Sequence, residues 1–131
     1  MLYTVADAAD PDHASAVDVV AAWPGELVVS AFTAAEADHL ILSRLGVDAE
    51  LAFLEDLALT YTVQALDASG IKRAREVCAG YRDLELGLAD ASIVVLCERW
   101  STRSVATFDQ RHFRAVTPLQ GGAFAVLPTD G

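Results

Sequence analysis

Bases are scarce in this chain. Eight arginines and one lysine, Lys72, stand against nineteen acids, for a formal charge of −10. That balance argues against broad nucleic-acid binding, which rests on basic surface. Cysteine is scarcer still: Cys78 and Cys97 each fall inside a helical pattern and form no CxxC pair, so they are expected as buried, reduced thiols of a cytoplasmic protein. The three histidines, His13, His39 and His112, show no zinc-ligand spacing. No uninterrupted apolar run reaches the ~18 residues of a membrane span, and no basic region precedes an apolar stretch at the N-terminus. The absence of GxxxxGKS/T, GxGxxG and GxSxG patterns disfavours nucleotide-binding and serine-hydrolase chemistry.

What is present is an apolar chain of 131 residues, 53% hydrophobic and 21% charged, enough for one domain with a real core. Its charge is uneven. Residues 1–71 carry twelve acids and one base, Arg44, whereas residues 72–131 carry eight bases and seven acids. Any contact with an anionic polymer is therefore expected from the second half, where Arg99, Arg103, Arg111 and Arg114 surround the segment of Asp109. The alternative for each arginine is a solvated side chain or a pairing with a neighbouring acid.

Helix and strand patterns alternate. Asp10-Pro11-Asp12 reads as a helix start, with a capping carboxylate and proline at the first helical position, leading into a helix from His13 to Trp23. Leu27 to Val29 reads as a short buried strand. Ser30 is expected to cap a helix to about Leu45 that ends at Gly46, and Asp48 to cap the next. Tyr61 to Leu66 alternates like a strand. Asp67 opens a helix to about Ala79, and a loop through Asp83 and Gly87 leads to a helix from about Leu88 to Trp100. Ser104 to Phe108 reads as a strand, and Phe124 to Leu127 as a last edge strand. This order predicts an α/β fold with a mostly parallel sheet covered on both faces.

Three acids end or interrupt apolar segments: Glu36 in VVSAFTAAEADHL, Asp90 in LGLADASIVVL and Asp109 in SVATFDQRHF. A carboxylate in such company is costly to bury without a partner. A hard divalent cation, Mg²⁺ or Mn²⁺, would supply one, since it takes oxygen ligands and leaves waters free for phosphate chemistry. Taken singly, Glu36 also reads as a solvated helix glutamate, and Asp90 as an acid favoured by its helix dipole. Asp109 follows a strand directly, at the sheet edge where ligands bind in open parallel sheets.

These strings, in this order, resemble the PIN domain, in particular the VapC-type ribonuclease toxins of toxin–antitoxin pairs, and the resemblance runs from Leu2 onward. It implies a three-layer fold with a mostly parallel central sheet flanked by helices, as a single domain over residues 1–131. It also implies RNA phosphodiester hydrolysis with Mg²⁺ or Mn²⁺, and Glu36, Asp90 and Asp109 as metal ligands and catalytic residues. An RNA substrate, a VapB-type antitoxin and a homodimer follow as expected partners, with no membrane. Asp83, Thr107, Arg111 and His112 are candidates for fixing ligands or touching RNA. For Asp83 and Thr107 a turn residue and an ordinary strand residue are the plainer readings.

One part of the family pattern is missing. The family opens with a strand ending in an aspartate, in a phrase like DTG or DTS, whereas this chain begins within the following helix. Asp7 and Asp10 lie too far along to replace that aspartate. The expectation is that the true start lies upstream, adding a strand of ~5–6 residues and the acidic turn. The competing expectation is a truncated or catalytically impaired PIN-fold protein that only binds an antitoxin. A response-regulator receiver, which also wants clustered acids, is excluded by the lack of an early acidic pair and a late lysine.

Overall fold

Every strand pair is parallel, as the alternation of helix and strand requires. In a computed structural model describing all 131 residues, the chain divides into two units, Met1–Gln64 and Ala65–Gly131. Each holds a two-stranded sheet, where the sequence pointed to one central sheet.

In the first unit, α1 (Leu2–Ala6) leads to α2 (His13–Ala22). The expected cap at Asp10-Pro11-Asp12 takes another form. The Asp10 carboxylate accepts the Asp12 N–H at 2.8 Å, a local turn that holds Pro11 outside the helix, and α2 starts at His13 as expected. His13 Nδ1 donates to the Thr4 carbonyl at 3.0 Å and ties α2 to α1. Strand β1 (Val28–Ser30) pairs with β2 (Thr62–Gln64) in the register Val28 with Thr62 and Ser30 with Gln64. Ser30 then caps α3 (Ala31–Leu45) by accepting the Phe32 N–H.

Gly46, at φ 92°, turns the chain into α4 (Val47–Thr60), and its carbonyl accepts the Glu50 N–H at 3.1 Å. That left-handed turn starts α4 one residue before the expected cap, and Asp48 lies inside the first turn without a capping bond. Residues four apart on each helix share a face, so Ala37, Ile41 and Leu45 of α3 meet Ala49, Phe53 and Leu57 of α4, with Leu2, Tyr3 and Ala6 packed alongside. Truncating Phe53 at such a site costs about 3–5 kcal/mol. One polar pair crosses this hairpin: the Glu50 carboxyl lies against Asp38 of α3, whose Oδ1 is buried without a hydrogen-bond partner.

In the second unit, Asp67 caps α5 (Ala68–Gly80) by accepting the Gly70 N–H at 2.8 Å. A Cβ on Gly70 would come within 3.0 Å of both Arg99 and Leu66, so glycine permits this approach. A 3₁₀ turn (Arg82–Leu84) precedes α6 (Gly87–Arg99). Helix α6 buries seven residues, from Ala89 to Cys97, and is enclosed on most of its circumference. Burial pushes the Cys97 thiol up to about 11, whereas Cys78 is partly exposed; both thiols are free.

Strand β3 (Ser104–Ala106) pairs with β4 (Ala125–Leu127), Val105 facing Val126. The expected strand ran to Phe108. It stops earlier because the Thr107 hydroxyl bonds both the N–H and the carbonyl of Asp109 and turns the chain. A helix that the sequence reading left out, α7 (Arg111–Ala115), follows and sends Phe113 edge-on against Phe124, ring centroids 5.6 Å apart. Arg114 forks onto both oxygens of Asp130, each at 2.7 Å, and Asp130 in turn accepts the Val126 N–H. No helix is long and apolar enough to cross a membrane.

Candidate active site

The turn after β3 and the start of α6 carry two of the three acids. Gly87, at φ 76°, opens α6 and puts Asp90 in its first turn, where free backbone N–H groups favour negative charge. Helix α7 brings His112 to it: His112 is buried, and its Nδ1 hydrogen-bonds Asp90 Oδ2. On the opposite side of the ring, Arg111 Nη2 lies 3.2 Å from His112 Nε2. A guanidinium only donates, so Nε2 accepts and the ring proton sits on Nδ1, facing the carboxylate. The chain Arg111–His112–Asp90 thus fixes one tautomer and one carboxylate orientation, and the Asp90 side chain keeps about a third of its surface open, 32%.

Asp109 is exposed, its backbone held by Thr107 and its Oδ1 accepting the Arg111 N–H at 3.4 Å. Thr107 therefore acts within the protein, as a clamp on the turn that carries Asp109. Glu36 lies exposed in the middle of α3, in the first unit. Asp83, in the 3₁₀ turn, is exposed and makes no side-chain hydrogen bond.

Four other acids of the second unit are neutralised, whereas Asp83 and Glu85 are exposed and unpaired. Asp67 pairs with Arg99, Glu76 and Glu98 with Arg73, and Asp130 with Arg114. Asp90 and Asp109 pair with no arginine or lysine side chain, and Glu36 has no ion pair either. Free carboxylate oxygens are what Mg²⁺ or Mn²⁺ takes, so the donor chemistry of these three acids fits a hard cation. Within neither unit do three His, Cys, Asp or Glu side chains gather closely enough to hold a metal.

The arginines expected around Asp109 divide differently. Arg99 and Arg114 are in the ion pairs above, and Arg103 donates to the Gly121 and Gln120 carbonyls at 2.7 and 3.1 Å. Arg111 orients His112. The sequence reading missed the carboxyl pair Asp38–Glu50. The spacing that puts both on the facing sides of a helical hairpin was its available signal.

Parallel strands alternating with helices define an α/β fold, and the chain belongs to the PIN domain family, whose model matches residues 1–117. It is 43% identical over 123 residues to Ribonuclease VapC26 of Mycobacterium tuberculosis, covering 93% of this chain and 91% of that protein. Among solved structures it is similar to Mycobacterium tuberculosis VapC20, a sarcin-ricin loop cleaving toxin, with a TM-score of 0.76 over 83% of this chain and 85% of that one. At 21% identity, that likeness speaks for the fold.

Proposed function

We propose that this protein is a metal-dependent endoribonuclease, the toxin of a type II toxin–antitoxin pair, acting in the cytoplasm as one PIN domain. The close relationship to a VapC ribonuclease supports the reaction class. The observation that carries the site is Asp90, left free of arginine and held in one orientation by His112, with Asp109 on the turn just before α7.

In this reading Asp90 and Asp109 of the second unit hold Mg²⁺ or Mn²⁺, directly or through water, and Glu36 of the first unit is a candidate ligand by its family resemblance alone. A divalent cation held there supplies Lewis acidity toward a phosphate oxygen and a more acidic water. His112, pinned by Arg111, hydrogen-bonds the Asp90 carboxylate and fixes its orientation, and so acts as a positioning residue. Thr107 holds the Asp109 backbone and makes no bond to its carboxylate, whose Oδ1 accepts the Arg111 N–H. The partners that follow are an RNA substrate, a VapB-type antitoxin and a second copy of the chain.

A second reading, a PIN-fold protein that captures an antitoxin without cutting RNA, is favoured by the lack of three gathered donors within either unit. One experiment separates the two: incubation of the purified protein with RNA and Mn²⁺ or Mg²⁺, with and without EDTA, beside Asp90→Asn and Asp109→Asn. The nuclease reading expects cleavage that stops with EDTA and falls roughly 100-fold or more in each variant, with growth arrest relieved and the fold retained. Cleavage that survives chelation overturns the metal mechanism, and no cleavage with either metal leaves the binding protein.

A further inference from the structure

Five of the eight cations of the second unit are engaged within the protein: Arg73, Arg99 and Arg114 on carboxylates, Arg103 on backbone carbonyls and Arg111 on His112. Three remain exposed and without any partner, namely Lys72, Arg75 and Arg82. They are neighbours. Lys72 and Arg75 are three apart on α5 and share a face, and Arg82 stands in the 3₁₀ turn that follows.

Arg75 and Arg82 line one open cleft of about 570 Å³ between the end of α5 and the start of α6. Its apolar surface comes from Cys78, Ala79 and Leu86. Glu85 lines it too, leaving the lining net positive. In a chain of charge −10, an anionic polymer is repelled by the acidic first half and has few free cations to meet elsewhere.

We propose that the Arg75–Arg82 cleft, with Lys72 beside it, is a phosphate-binding track for the backbone of single-stranded RNA, outside the acid centre. This rests on the ribonuclease reading and extends it to how an acidic protein holds its substrate. The guanidinium groups take successive phosphates, the small apolar floor accepts a sugar or a base face, and Glu85 opposes the charge and weakens the grip.

The test is fluorescence anisotropy with a labelled 20-nucleotide single-stranded RNA in EDTA, which prevents cleavage, over a series of salt concentrations. Arg75→Ala with Arg82→Ala is expected to weaken binding roughly ten-fold and to lower the salt slope by about 1.4, the value for two phosphates on a single strand. Glu85→Gln is expected to bind more tightly than the parent. Arg44→Ala removes the same kind of charge from the first unit and is expected to match the parent.

An unchanged affinity and slope in the double variant, with the parent binding RNA, overturns the track and leaves the ribonuclease reading intact. A parent protein that neither binds nor cleaves any RNA overturns both. If the double variant instead loses affinity for a poly-glutamate peptide while RNA binding is untouched, the cleft serves an acidic protein partner and the proposal falls. Both arginines are exposed, so the circular dichroism of the variants is expected to match the parent.

Discussion

His112 Nδ1 meets Asp90 Oδ2 across 22 residues of sequence, joining the helix after β3 to the first turn of α6. The ring is buried and its other nitrogen is occupied by Arg111, so the contact has one tautomer and one direction. A carboxylate aimed in this way spends none of its charge on an arginine and stays available to a cation. Most other acids of that half are already paired.

Removing the ring should therefore act through Asp90. His112→Ala is expected to weaken Mn²⁺ affinity about 10–100-fold, measured by titration of the metal against cleavage rate and by calorimetry. Arg111→Met, which frees Nε2, is expected to shift affinity in the same direction by less. A His112→Ala protein with the parent's Mn²⁺ dependence would show that the ring only fills space.

The acid limb of stability should report on Asp130. The Arg114 guanidinium, and after it the Val126 N–H, hold its carboxyl at about 2, against an ordinary 3.8. A depressed acid contributes stability above its unfolded value, and that contribution fades as pH falls from about 3.8 toward 2. Asp130→Asn is expected to lower the melting temperature at pH 6 and to flatten its dependence between pH 4 and 2. Thermal melts across that window test this, and an unchanged slope refutes it.

Glu50 carries the opposite sign. Its hydrogen bond to Asp38, then burial, then the Asp38 charge raise its carboxyl above the ordinary 4.5. A raised acid favours the fold below its unfolded value and loses that contribution as pH rises through the folded one. Glu50→Gln keeps the donor and removes the charge, so it is expected to melt higher than the parent at pH 7 and level with it near pH 4. A lower melting temperature at pH 7 would mean that the pair is not repulsive.

Much of the first unit was legible because its signals are local. Ser30 before an apolar helix, Gly46 after it and the four-residue spacing of Ala37, Ile41 and Leu45 all act within a turn or two of chain. The same holds for Asp67 and α5. The errors fell where local hydrogen bonds or backbone geometry outweighed the pattern: Asp10 closing a turn that keeps Pro11 outside α2, Thr107 cutting β3 short, and Gly46 rather than Asp48 starting α4. Helix α7 is five residues long, too short for a periodic pattern, and packs through Phe113 on a phenylalanine eleven positions away.

The sequence by itself determined which acids stand in apolar surroundings, the order of elements and the family to which they belong, because these depend on residue type and short-range periodicity. The tertiary structure decided which charges are free. Whether an arginine meets a carboxylate, a carbonyl or open solvent depends on positions 16 to 32 residues apart, as for Arg114 with Asp130 and Arg99 with Asp67. Coulomb interactions follow distance in space, and composition counts every charge alike. So the bases near Asp109 in sequence turned out to be committed to the fold, and the free ones lie on α5 and in the turn that follows.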